Sequence, residues 1–102
     1  MLMTTTDTID GKNLKILGIV QGNIVQSKHI GRDFMAGLKT IVGGELRGYT
    51  ELLVEARKEA ANRMMEEARL LGADAIVCVR YNSGAMLDGT EVMAYGTAVK
   101  YQ

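Results

Sequence analysis

From Tyr49 to Leu71 the chain contains neither proline nor glycine, while Gly43, Gly44 and Gly48 precede the stretch and Gly72 closes it. Projected at about 100° per residue, Leu53, Val54, Ala56, Ala60, Ala61, Met64, Met65, Ala68 and Leu71 fall on one broad arc. Glu55, Lys58, Glu59, Asn62, Arg63, Glu66 and Arg69 fall on the opposite one. The spacing predicts a single long amphipathic helix over Glu51 to Leu71, with Thr50 as its N-terminal cap. Glu55 with Lys58, Glu59 with Arg63, and Glu66 with Arg69 are spaced to pair along its polar side. Each such pair contributes only tenths of a kcal/mol, so burial of the alanine-rich arc must supply most of the stability. Arg57 projects into the middle of that arc, the one charge that periodicity does not assign to solvent.

A helix of this kind needs a surface to bury against, and its flanks supply strands. Thr4 to Ile9 leads into Asp10-Gly11, a pair suited to a turn with positive φ, and Leu14 to Gln26 then reads as a strand, giving an expected first hairpin. Gly18 and Gly22 interrupt that strand, either to bend it or to admit another backbone. From Gly31 to Val42 the period changes: Ile30, Phe34, Met35, Leu38, Ile41 and Val42 share one side, which predicts a short helix ended by Gly43. After Gly72, Ala75 to Tyr81 alternates, with Val77, Val79 and Tyr81 on one face and Ile76, Cys78 and Arg80 on the other. Asp88-Gly89 signals a second hairpin, and Thr90 to Tyr101 is its return strand. The fold class is α+β, a small antiparallel or mixed sheet packed on one long helix, in a single domain over residues 1–102.

Composition narrows the function classes. Twelve basic and twelve acidic residues cancel, so the electrostatic footprint of a phosphate-backbone binder is missing and nucleic acid is not expected as a partner. No apolar run reaches the roughly 18 residues that a membrane span requires, and the start lacks a basic region before an apolar stretch, so a cytoplasmic chain without membrane association is expected. Cys78 is the one cysteine, which rules out an intrachain disulfide framework.

Several local strings resemble the YbjQ-like family of small prokaryotic proteins described as heavy-metal-binding. They are Thr4-Thr5-Thr6 with Ile9 and Gly11-Lys12, Gly18-Ile19-Val20 with Gly22, and Gly31-Arg32-Asp33-Phe34 leading to Val42-Gly43-Gly44. Gly48-Tyr49, Glu55-Ala56-Arg57 with Ala60, Leu71-Gly72-Ala73-Asp74-Ala75-Ile76-Val77, and Gly96-Thr97-Ala98-Val99 complete the set. The resemblance covers nearly the whole chain. It implies a dodecin-subunit-like fold assembled as a ring, typically a homopentamer, and it implies no known activity. The Cys-x-x-Cys of soft-metal chaperones is absent.

Two candidate sites follow. A transition-metal ion would draw on His29 and Cys78, at most two ligands per chain unless a ring multiplies them; the alternative is that Cys78 is a small core residue and His29 a loop residue. The methionines Met64 and Met65 read as core filling. No catalytic residue is nominated, because Cys78 lacks the neighbouring base that a thiolate nucleophile needs. The stronger candidate joins Gly43, Gly44, Arg47, Tyr49 and Arg57, in which glycine N–H groups and planar guanidinium donors suit a carboxylate or phosphate. The alternative there is structural, with Arg57 paired to Glu45, Asp33 or Asp74 in a subunit contact. The functional expectation is a non-enzymatic ring that binds a metal or small ligand at subunit junctions. The runner-up is an enzyme, or a module associated with one, acting on a small anionic metabolite.

Overall fold

The computed structural model describes residues 1–27, 47–87 and 89–102. The short helix expected over residues 31–42 lies outside them, as do His29, Gly43, Gly44, Asp33 and Glu45. Strand β1 (Leu2–Met3) is followed by β2 (Leu14–Ser27), helix α1 (Arg47–Leu70), β3 (Ala75–Met86) and β4 (Gly89–Tyr101). They build one four-stranded mixed sheet in the order β1-β3-β4-β2, with α1 packed on one face. None of the described helical residues forms a segment long and apolar enough to cross a membrane.

Helix α1 is already formed at Arg47, so Thr50 lies within its first turns and does not cap it. At the other end the expected stop is met. Gly72 adopts φ 80°, its N–H donates to the Arg69 carbonyl at 3.0 Å, and the Ala73 N–H donates to the Ala68 carbonyl at 3.1 Å. This double bond pattern around a left-handed glycine satisfies carbonyls that a helix end otherwise leaves open. All three predicted surface pairs form: Lys58–Glu55, Arg63–Glu59 and Arg69–Glu66.

The buried stripe of α1 is Ala56, Ala60, Met64 and Ala68, which meet Val20, Ile76, Val79, Val92, Ala94 and Ala98 of the sheet. Met65 packs at the margin of this core. Small side chains on the helix bring the two backbones close, and Gly22 makes the approach possible. A Cβ at Gly22 would overlap the Ala60 carbonyl oxygen and the Met64 nitrogen. Gly18 serves the other expected purpose, with φ 145° at a break in β2–β4 register between Ile16 and Gly18. The Arg63 guanidinium then donates to the Asn23 carbonyl at 2.7 Å, fixing the helix over β2.

The expected first hairpin does not exist. Asp10-Gly11 does turn, with Gly11 at φ 73° and the Lys12 N–H donating to the Ile9 carbonyl. However, β1 pairs in parallel with β3 and β2 pairs with β4. Since β1 and β2 occupy opposite edges of the sheet, residues 4–13 cross the face opposite α1 as a strap. Ile9 of the strap packs with Leu14, Ala75, Val77, Cys78, Val99 and Tyr101 in a second apolar cluster, and Lys12 stands over the Tyr101 ring at 4.8 Å. The turn signal was local, whereas the choice of partner strand depends on contacts across the sheet, where the strap covers the face opposite α1.

The alternation expected along β3 is also corrected. Its register against β4 slips between Val77 and Arg80, where Cys78 takes φ 55°. This bulge resets the two-residue period, so Ile76 and Val79 both face the helix while Val77 joins the cluster beneath the strap. Its displaced N–H groups are satisfied by the strap: Cys78 N–H donates to the Thr6 carbonyl at 2.9 Å, and Val79 N–H to the Thr4 carbonyl at 3.0 Å. Arg80 donates to both the Thr5 and Val79 carbonyls, closing the junction. The second expected hairpin forms between β3 and β4, with Met86 opposite Gly89.

Candidate functional site

Beyond the bulge, β3 carries its side chains in a new phase. Tyr81 stands opposite Ala94, and Ser83 opposite Val92; because Ala94 and Val92 belong to the core beneath α1, Tyr81 and Ser83 share the helix-facing side. On α1, Tyr49, Leu53 and Arg57 form an i, i+4, i+8 row. The last two overhang this distal part of the sheet. The result is an open cleft of about 110 Å³ lined by Leu53, Arg57, Tyr81, Asn82, Ser83 and Val92.

Arg57 is therefore not the buried charge that helix projection suggested, because it is exposed. The helix meets the sheet along the narrow Ala56–Ala60–Met64–Ala68 stripe. Arg57 lies beside the stripe, and a long side chain can run its stem along apolar surface while holding its guanidinium in water. Of the carboxylates considered as partners, Asp74 is engaged elsewhere. It accepts from the Tyr101 N–H at 2.8 Å and lies 3.8 Å from Lys100 Nζ. No ion pair to Arg57 occurs among the described residues.

Tyr49 is half-buried and does not line the cleft, and the Arg47 side chain, Gly43 and Gly44 lie outside the described residues. Of the set Gly43, Gly44, Arg47, Tyr49 and Arg57, only Arg57 is thus placed in the cleft. Leu53, Tyr81, Asn82, Ser83 and Val92 were not nominated from sequence. Their grouping depends on the bulge at Cys78, for which the sequence offers no proline or glycine as a signal. Among the described residues the lining combines one permanent cation, a phenol and a hydroxyl with two apolar walls, while Asn82, between Tyr81 and Ser83, directs its side chain to the other face of the sheet.

Cys78 lies elsewhere, partly buried in the cluster beneath the strap. His29, the other residue nominated for metal, lies outside the described residues. Among the described residues, no three or more His, Cys, Asp or Glu side chains come together as a metal cluster. The neighbours of the thiol are aliphatic and aromatic, so the described residues do not fit a soft-metal centre.

A family model with the description "Putative heavy-metal-binding" matches residues 1–102. The chain belongs to this family, YbjQ. A UPF0145 protein of Vibrio parahaemolyticus is 60% identical over 102 residues, covering 98% of this chain and 97% of the relative. A UPF0145 protein of Thermotoga maritima is 54% identical over 104 residues, covering 100% and 98%. The fold is shared with a solved structure from Pediococcus pentosaceus, a protein of unknown function assigned to the DUF74 family. The TM-score is 0.67 at 16% identity, over 100% of this chain and 98% of that one. These relationships establish family and architecture. The family's metal description finds no matching donor set among the described residues.

Proposed function

We propose that the protein is a non-catalytic, cytoplasmic, ring-forming homo-oligomer that holds a small anionic ligand at its subunit junctions. The observation that carries the ligand reading is the cleft itself, a guanidinium beside a pocket between helix and sheet with the hydroxyl-bearing residues Tyr81 and Ser83 on its other wall. That set suits holding a planar anion. An enzymatic reading would need Tyr81, the one general acid–base type among the described lining residues, to exchange a proton with the ligand.

Two features support assembly at the same place. Among the described residues, β2 has no strand on its outer edge, and β3 beyond Val79 has none on the side away from β4. Open edges invite pairing with another chain, and pairing the β2 edge of one copy with the distal β3 edge of the next is a head-to-tail contact that closes a ring. Exposed Ile16, Ile19, Val25, Met86 and Leu87 add apolar surface along these elements. The distal β3 edge includes Tyr81, Asn82 and Ser83, so the contact that builds the ring would border the cleft. Five subunits is the number implied by the family resemblance, and the dodecin-like description of the subunit rests on the same ground.

Native mass spectrometry of untreated protein tests both parts at once. A ring mass, with five copies expected, carrying a small non-metal adduct supports the reading. A monomer at micromolar concentration overturns the assembly, and a stoichiometric transition metal overturns the anionic ligand.

A further inference from the structure

Resting on the reading of the cleft as an anion site, we infer that its ligand class is a small monocarboxylate with an apolar body. The first constraint is charge. Among the described residues the lining contains a single cation, Arg57, and no carboxylate, so these residues match one negative charge and repel a cation or metal ion. A phosphate dianion would require a second positive group to balance it, and the described lining offers none.

The second constraint is the distribution of polarity. Arg57 reaches the mouth from α1, while Leu53, one helical turn before it, and Val92, almost fully buried, supply apolar wall and floor. A ligand that is polar throughout would leave those surfaces without use and would lose its own hydration against them. A carboxylate on the guanidinium fork, with its tail directed toward Leu53 and Val92, meets both halves. Tyr81 and Ser83, on the helix-facing side of β3, place hydroxyl groups on the opposite wall, where they can donate to the carboxylate.

The third constraint is size. About 110 Å³ is well below the usual volume of a drug-sized or nucleotide pocket, roughly 300–1,000 Å³. A short aliphatic acid matches this volume, whereas a nucleotide or a coenzyme would extend beyond the described walls. The same chemistry could come from a glutamate or aspartate side chain of a neighbouring subunit, and the experiment separates the two sources.

The assembled, full-length protein is titrated with butyrate, with butylammonium and with inorganic phosphate at constant ionic strength, followed by melting temperature and by NMR shifts of the Tyr81–Ser83 amides. Butyrate is expected to bind saturably, at least about tenfold more tightly than phosphate, with no response to butylammonium. Arg57→Gln abolishes the butyrate response, and Leu53→Asn weakens it several-fold while leaving phosphate binding unchanged. Both side chains reach solvent, so neither variant threatens the fold. Phosphate binding as tightly as butyrate overturns the ligand class and leaves the anion site standing. Butyrate bound equally by Arg57→Gln overturns the site. If no probe binds and Arg57→Gln breaks the assembly, the guanidinium holds a neighbour's carboxylate, and both this inference and the ligand part of the proposed function fail. If no probe binds and Arg57→Gln changes nothing, both fail as well.

Discussion

The two ends of the sheet are built for different purposes. At the end that holds β1, both faces are covered: Ile76 and Ala98 lie under the helix, while Ala75, Val77 and Val99 lie under the strap. At the other end β3 and β4 run on as a hairpin whose β3 residues from Tyr81 to Leu87 are exposed, and among the described residues only the first part of α1 overhangs it. The bulge at Cys78 divides the two. Before it, β3 is paired on both edges and buried on both sides; after it, the strand has an open edge and lines a cleft. Stability is thus concentrated at one end, and the groups able to recognise a ligand or a second chain are concentrated at the other.

The largest test of this division compares Ile76→Ala with Tyr81→Ala. Ile76 is fully buried between helix and sheet, so its truncation is expected to cost about 2–5 kcal/mol in urea unfolding. Tyr81, on the same face but 48% exposed, is expected to change unfolding by no more than about 0.5 kcal/mol, its effect appearing in butyrate binding or in assembly. Equal losses at the two positions would break the division.

Next in size is Gly22→Ala. A methyl group there meets the backbone of α1 at Ala60 and Met64, and backbone cannot move aside as a flexible side chain can. The helix must lift from the sheet, at a cost of about 1–3 kcal/mol. Because Arg57 rides on the same helix, this variant should also weaken ligand response at the distant cleft, and a drop in stability with an unchanged cleft would show that α1 can tilt independently at its two ends.

The long helix, its surface pairs, its glycine stop and the second hairpin were legible because each depends on residues near one another in sequence. Gly22 was legible as a choice between two uses and was settled by the helix crossing above it. The strap was not legible, since Thr4 to Ile9 followed by Asp10-Gly11 carries the local marks of a hairpin, and only competition for the open face of the sheet assigns it elsewhere. Nor was the bulge, because the positive φ at Cys78 is accompanied by hydrogen bonds from Cys78 to Thr6 and from Val79 to Thr4, partners far away in sequence. The cleft inherits that opacity. Arg57 was singled out as the charge that periodicity does not assign to solvent, yet it is exposed, because projection fixes the direction of a Cβ and not where a long, flexible side chain ends.

A third, smaller effect is expected at Arg80, which ties the strap to the bulge through the Thr5 carbonyl at 3.0 Å and the Val79 carbonyl at 2.9 Å. Arg80→Ala removes these bonds from an exposed position and should cost about 1 kcal/mol. Hydrogen exchange would resolve where the loss falls. Faster exchange at the Cys78 and Val79 amides, which donate to the strap, with little change in α1, would place the strap's anchor at this residue. Uniform acceleration across the protein would mean that the two ends of the sheet unfold together and that the division between them is structural only.

The smallest expected effect belongs to the exposed pair Glu66–Arg69, on the solvent side of α1. The hydrogen bond from the Arg69 guanidinium, with a further contribution from its charge, holds the Glu66 carboxyl below its usual value of 4.5. A carboxyl lowered in the folded state adds stability above its unfolded value, and that contribution is lost as pH falls through the lowered one. Glu66→Gln should therefore be slightly less stable than the native protein at neutral pH and should converge with it in acid, below 4.5. Both charges are open to solvent, so salt should shrink the difference further. A thermal shift series across pH, at low and at high salt, reads it directly. A large neutral-pH loss in Glu66→Gln, persisting at high salt, would show that this part of the helix surface is covered in the assembly, extending the partner-facing region beyond the distal end of the sheet.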